Sequence, residues 1–161
     1  DLTESYFQNY YASAVGEAHV VKKMKEVNAV IGGEGNGGVI YPPLHYGRDS
    51  LVGIALLLSL MAESKLPLSK LKEKYSKYEM YKDKIQLDEN INYNNIVDLL
   101  TKEYVDENID LTDGMKIDFK DSWVQLRKSN TEPIIRIYSE AKSLEEAEKL
   151  VLDIKKIISK Q

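Results

Sequence analysis

With 161 residues and 43% apolar side chains, the chain has room for one ordinary domain or two small ones around packed cores. Its formal charge of −4, from 26 acidic and 22 basic residues spread along the sequence, argues against nucleic acid or an anionic membrane as partner and makes any anion site local. The absence of cysteine excludes disulfides, thiolate metal sites and a cysteine nucleophile, and the expectation is a cytoplasmic globular protein.

The longest apolar run, 51–62, is broken by Gly53 and Ser59 and is too short to cross a bilayer. The sequence opens on Asp1 with neither an initiator methionine nor a signal peptide, as expected of a piece cut from a longer protein. Apolar residues at helical spacing, Val15, Ala18, Val21 and Met24, predict a helix over 15–27, followed by a short buried strand over 28–31. That strand runs into glycine. Five of the nine glycines fall within 32–38, before a second short strand at 39–41 and a stop at Pro42-Pro43.

Gly33, Gly35 and Gly38 match the spacing G-x-G-x-x-G, but a dinucleotide-binding turn needs a helix N-terminus directly after it. Val39-Ile40-Tyr41-Pro42-Pro43 cannot start that helix. Two readings remain. One is a tight turn with Glu34 in water; the other is a loop passing close to a sugar, with Glu34 accepting hydrogen bonds from hydroxyls and Asn36 donating and accepting them. His19 has no metal-ligand partner at useful spacing, whereas His45, beside this loop and near Arg48-Asp49, is a candidate for the neighbourhood of the site.

Asp49 or Ser50 caps a strongly apolar helix through about Ser64, and Pro67 opens a shorter one to about Tyr75, both expected to cover a sheet. From 77 to 95 the sequence is rich in Lys, Asp, Asn and Tyr with weak periodicity, which predicts an interdomain stretch with a strand near 84–87. A helix over 95–104 and strands at 115–119, 123–127 and 134–138 follow, the first two strands forming a hairpin. The last helix begins in the capping box Ser143-Leu144-Glu145-Glu146 and carries an apolar stripe from Leu144 to Ile158. Strands between two helices indicate a small α+β layer. Trp123 is the start of a strand and needs only a partner for its N–H.

Of the 22 basic residues only Arg48, Arg127 and Arg136 are arginine, so arginine is expected where a planar, bidentate donor matters. Between two strands, Arg127-Lys128-Ser129-Asn130-Thr131 offers a guanidinium, two hydroxyls, an amide and the N–H groups of a turn, a donor set suited to a phosphate dianion. Glu132 opposes that assignment unless it holds Arg136, four residues on. The other reading is an ordinary polar hairpin with an Arg127–Glu132 surface pair.

Gly33-Glu34-Gly35-Asn36-Gly37 resembles the sugar-selecting loop of the α-D-phosphohexomutase superfamily, in the branch of bacterial and archaeal phosphomannomutases and phosphoglucosamine mutases. Other branches end this loop Ser-Gly-His; Gly38 replaces that His here, so its role is not carried over. Arg127-Lys128-Ser129-Asn130-Thr131-Glu132-Pro133, followed by Arg136 and Glu140-Ala141, resembles the C-terminal phosphate-binding motif of the same superfamily. Together the two motifs, in the right order, cover most of the chain.

The resemblance implies a truncated third domain of α/β type over residues 1–88 and a C-terminal α+β domain over 89–161, an antiparallel sheet packed by helices. It implies that Glu34 and Asn36 contact sugar hydroxyls and that Arg127, Ser129, Asn130 and Thr131 grip the phosphate that is not being transferred. Glu17, at a place where related enzymes often carry a basic or imidazole residue near substrate, joins Arg136, Glu132, His45 and Arg48 as candidates around these contacts. The implied reaction moves a phosphoryl group between C6 and C1 of a hexose phosphate through an enzyme phosphoserine, with hexose 1,6-bisphosphate as intermediate and activator and Mg²⁺ neutralising the transferring group. The sequence contains neither a Ser-His-Asn-Pro nor an Asp-x-Asp-x-Asp, so catalytic serine and Mg²⁺ ligands are expected in N-terminal domains of the same protein, and this part alone is expected to be inactive. A non-catalytic module binding sugar phosphate or another anion is the alternative; a nucleic-acid binder is disfavoured by the pI of about 5.3. Mannose, glucose and glucosamine phosphates differ at C2, which neither motif distinguishes.

Overall fold

The computed structural model describes residues 9–87, 92–129 and 131–159. The chain forms two compact units, Asp1–Ser76 and Lys77–Gln161. The first is an α/β arrangement and the second an α+β one, as the sequence predicts.

In the first unit, helix α1 (Glu17–Val27) starts after Gly16, whose φ of 121° only glycine adopts freely, and stops at Asn28 in the left-handed conformation. Strands β1 (Gly32–Gly33), β2 (Val39–Tyr41) and β3 (His45–Arg48) form an antiparallel sheet in that order. Helix α2 (Ser50–Ser64) is capped by Asp49, whose carboxylate accepts the N–H groups of Leu51 and Val52 at 2.8 and 3.0 Å. A short helix α3 (Leu68–Lys72) follows, ending three residues before the expected Tyr75.

The core of this unit is small: among its described residues Met24, Ile40, Val52 and Leu71 are the buried apolar ones. Met24 packs so close to Gly32 that a Cβ there would lie 2.2 Å from its sulfur. The buried strand expected over 28–31 is not formed. Val30 is 77% exposed and pairing begins only at Gly32, because among the described residues no element covers Val30 and Ile31. Helix α2 is apolar around most of its circumference, the pattern of a helix covered on several sides, yet Leu51, Ile54, Leu57 and Leu58 are exposed.

The second unit is built on a five-stranded antiparallel sheet in the order β4-β8-β7-β6-β5. Its elements are β4 (Glu79–Gln86), α4 (Tyr93–Glu103), β5 (Asn108–Asp110), β6 (Met115–Asp118), β7 (Trp123–Lys128), β8 (Ile134–Ala141) and α5 (Leu144–Ile158). The strand expected near 84–87 within the stretch 77–95 is present but starts earlier, at Glu79, and β4 pairs with β8 along its whole length, from Glu79↔Ala141 to Gln86↔Ile134, so this segment belongs to the second sheet. The division between units falls at 76/77 instead of the expected 88/89. In β4 the alternation is present but polar, with Tyr81, Asp83 and Ile85 half-buried and Lys82 and Lys84 exposed.

Helices α4 and α5 supply Ile96, Leu100, Val151 and Ile154 to the same core as Ile117, Leu126, Ile135 and Ile137 of the sheet. Ser139, fully buried on that face, donates to the carbonyl of Ala147 at 2.7 Å, so it carries no unsatisfied hydroxyl into the core. Arg127 and Arg136 fall on the alternate positions of β7 and β8, away from this core.

Candidate functional site

Among the described residues each unit carries a concavity at one of the two loops. In the first, the glycine-rich segment closes a turn: Gly37 N–H donates to the Glu34 carbonyl at 3.0 Å and Glu34 N–H to the Gly38 carbonyl at 3.1 Å. Gly37, at φ 90°, provides the backbone conformation that other residues avoid. Gly33 is needed for closeness, since a Cβ on it would lie 2.5 Å from the Gly38 carbonyl oxygen. Asn36 folds back on its own loop, its Oδ1 accepting Gly38 N–H at 3.0 Å, which commits the amide oxygen and leaves the NH₂ group for a ligand.

This turn borders an open cavity of about 520 Å³ lined by Glu17, Asn36, Gly37, Gly38, Arg48, Asp49 and Ser50. Arg48, at the end of β3, connects its walls. Its backbone N–H and its Nε–H both donate to the Glu17 carboxylate, at 3.1 and 2.9 Å, and its Nη1 lies 3.6 Å from Glu34 Oε2. The backbone N–H of Arg48, and then its guanidinium, hold the Glu17 carboxyl below the usual glutamate range. Asp49 is likewise held low, first by the Val52 N–H and then by His45, whose Nε2 lies 3.0 Å from its carboxylate.

The structure thus gathers Asn36, Glu17 and Arg48, named from sequence, around the cavity, with Glu34 beside the Arg48 guanidinium and not in the lining itself. His45 is engaged with Asp49 and does not line the cavity. Sequence reasoning missed the weight of Arg48, whose methylene stem fills the place beside Gly38; the sparing use of arginine was the available signal.

In the second unit, the turn between β7 and β8 closes with Ser129 N–H donating to the Ile134 carbonyl at 2.9 Å. Ser129 Oγ lies 3.4 and 3.3 Å from the N–H groups of Thr131 and Glu132, the pattern of a serine-stabilised turn. A cavity of about 160 Å³ is lined by Arg127, Lys128, Ser129, Thr131 and Arg136. Asn130 lies outside the described residues. Glu132 holds Arg136 at 3.1 Å, which raises the guanidinium pKa further, while Arg127 Nη1 lies 3.4 Å from Asp113. The Arg127–Glu132 pair of the alternative reading is not what forms. Arg136, expected only to support the loop, lines the cavity itself. These partners leave a cationic, donor-rich concavity with room for a phosphate group.

Among the described residues no three His, Cys, Asp or Glu side chains converge as a metal site would require. No described helix is long and apolar enough to cross a membrane.

Residues 1–78 match the family description "Phosphoglucomutase/phosphomannomutase, alpha/beta/alpha domain III", and residues 81–157 match "Phosphoglucomutase/phosphomannomutase, C-terminal domain". The chain is 36% identical to a phosphoglucosamine/phosphogalactosamine mutase of Sulfurisphaera tokodaii over 98% of its own length and 36% of that protein's. It is 43% identical to a phosphoglucomutase/phosphomannomutase of Thermococcus kodakarensis over 88% of its own length and 31% of that protein's. A solved phosphoglucomutase/phosphomannomutase family protein from Burkholderia thailandensis superposes with a TM-score of 0.70 at 26% identity, covering 90% of this chain and 31% of that one. The chain therefore spans about a third of the length of these relatives.

Proposed function

This chain belongs to the phosphoglucomutase/phosphomannomutase family, and on that premise we propose that it is the substrate-holding part of a phosphohexomutase that interconverts hexose 6-phosphate and hexose 1-phosphate. The observation that carries the proposal is that each unit, taken by itself, holds a concavity of different chemistry. One is lined by Asn36 and by Arg48, which has the Glu34 carboxylate beside it, an amide-and-carboxylate set suited to hydroxyls; the other is a cationic turn at Arg127, Ser129 and Thr131, suited to a phosphate. Asn130 belongs to the second set by its place in the motif. A sugar phosphate has these two chemistries at its two ends.

Holding is what this chain contributes. Fixing the sugar and the idle phosphate turns a collision into an oriented transfer, but positioning without a phosphoryl donor moves nothing. The phosphoserine and the aspartates for Mg²⁺ would come from N-terminal domains of the same protein, in the cytoplasm, with hexose 1,6-bisphosphate as the intermediate. Those upstream residues would also cover the exposed apolar side chains of α2 and Val30.

Mutase assays on the full-length protein with the 1-phosphates of mannose, glucose and glucosamine test the reading. Turnover of at least one, none by this chain alone, and hexose phosphate binding by both is the expected result. Binding with no turnover by the full-length protein would favour a sugar-phosphate-binding module instead.

A further inference from the structure

The space beside Gly38 is already occupied. A Cβ at position 38 would lie 2.5 Å from Cδ and 3.1 Å from Cγ of Arg48, so the stem of Arg48 fills the volume into which a side chain at the end of the sugar loop would project. The backbone does not require glycine there, since the positive φ of this loop belongs to Gly37. Position 38 is small because Arg48 takes its place.

Arg48 is also held in that place. Glu17, the first residue of α1, grips both its backbone N–H and its Nε–H, and Glu34 stands 3.6 Å from Nη1 on the other side. A guanidinium has five N–H donors, and Glu17 uses one of them. Arg48 lines a cavity of about 520 Å³, and its Nη1 stands beside the carboxylate of Glu34. A fixed donor beside a fixed acceptor matches two neighbouring ring hydroxyls, one accepting from the guanidinium and one donating to the carboxylate. A phosphate fits this rim poorly, because Glu17, Glu34 and Asp49 together outnumber the single guanidinium and would repel a dianion.

We propose that Arg48 is a specificity-determining contact residue of the sugar site, donating to a ring hydroxyl adjacent to the one read by Glu34, and that Glu17 is the positioning residue that sets its guanidinium. The proposal rests on the sugar-site reading above and adds to it a residue and the chemical group that residue reads.

The test uses full-length protein with the 1-phosphates of glucose, mannose and glucosamine. Arg48→Ala removes the donor, and KM is expected to rise about ten- to a hundredfold, the range for a lost hydrogen bond to a charged group, with unequal effects among the three sugars and a smaller change in kcat. Gly38→Ala approaches the same point without touching Arg48, by pushing its stem aside. It is expected to raise KM in the wild-type background and to add nothing in the Arg48→Ala background. A KM within about twofold of wild type for every sugar in Arg48→Ala overturns the assignment, and so does an equal Gly38→Ala penalty in both backgrounds, which would locate the effect in the loop backbone. If Arg48→Ala does not fold, the Gly38→Ala result in the wild-type background decides: an unchanged KM overturns the assignment. Wild-type protein that turns over no hexose phosphate overturns the mutase reading and this assignment together, whereas turnover with indifferent variants overturns the assignment alone.

Discussion

Arg127 and Arg136 stand directly opposite each other on β7 and β8, and Lys84 on β4 stands opposite Arg136, so three cations form one cross-strand row. Like charges facing each other across strands oppose folding. Here Asp113 answers Arg127 and Glu132 answers Arg136, but both carboxylates are partly exposed. A phosphate dianion at the head of the row would neutralise it more completely.

Phosphate binding and the stability of residues 77–161 are therefore expected to be linked. Inorganic phosphate at about a hundred times its Kd adds about 2.7 kcal/mol by mass action. Calorimetry of this chain should show the corresponding rise in melting temperature, and Arg127→Gln should remove it. A melting temperature indifferent to phosphate in the wild type would leave the cationic row without a ligand.

Arg127→Lys separates charge from geometry. Lysine keeps the positive charge but lacks the planar fork, and lost charge-assisted hydrogen bonding is worth about 1.5–3 kcal/mol. Hexose phosphate capture, measured as kcat/KM of the full-length protein, should fall about ten- to more than a hundredfold. Folding should change by no more than about 1 kcal/mol, the worth of a surface pair such as that with Asp113. Wild-type kinetics would remove Arg127 from the phosphate site.

Much of this fold could be read from local chemistry, and the remainder depended on distant partners. Helices α2 and α5 begin where Asp49 and Ser143 predict, because a cap acts on N–H groups only two or three residues away. Only the end of β4, near 84–87, was legible; its first half was concealed because two of its half-buried side chains, Tyr81 and Asp83, are polar, and the strand that accepts it lies far along the sequence. The motif residues of both loops could be named from their order alone. That Arg48 spans from Glu17 to Glu34 could not, since it joins residues 31 positions apart across α1 and β3. The exposed Val30 marks the opposite case: a strongly apolar pattern predicts burial, and the described residues provide no cover for it.

Asp83 makes a close ion pair with Lys155, joining β4 to α5, and that ammonium, by its hydrogen bond first, holds the Asp83 carboxyl below the usual aspartate range. A carboxyl whose folded pKa is depressed stabilises the fold above its unfolded value, about 3.9, and that contribution disappears as pH falls through the folded value. Asp83→Asn should therefore cost about 0.5–1 kcal/mol near neutral pH and nothing once the Asp83 carboxyl of the wild type is protonated in both the folded and the unfolded state. Denaturant midpoints of this chain between about pH 7 and pH 2 should converge for wild type and variant on the acid side. Parallel curves would show that the ion pair contributes nothing specific.

The two glycines flanking Glu34 should respond oppositely to the same small substitution. A Cβ at position 33 would lie 2.5 Å from the Gly38 carbonyl oxygen, a backbone atom tied into the turn by its bond from Glu34 N–H, whereas a Cβ at position 35 meets nothing within 4 Å. Neither residue has a positive φ, so the difference is contact and not backbone preference. Gly33→Ala should thus push β1 away from β2 and cost about 1–3 kcal/mol, as overpacking does. It should also displace Glu34 relative to Arg48, raising KM for hexose phosphates in the full-length protein. Gly35→Ala should leave stability within about 0.5 kcal/mol or raise it slightly by reducing the freedom of the unfolded chain. Its effect on KM then reports whether the sugar itself approaches that position, because the free protein leaves it open. Thermal melts and KM values for the two variants measured side by side decide the matter; equal penalties would mean that the turn does not close as Glu34 and Gly38 place it.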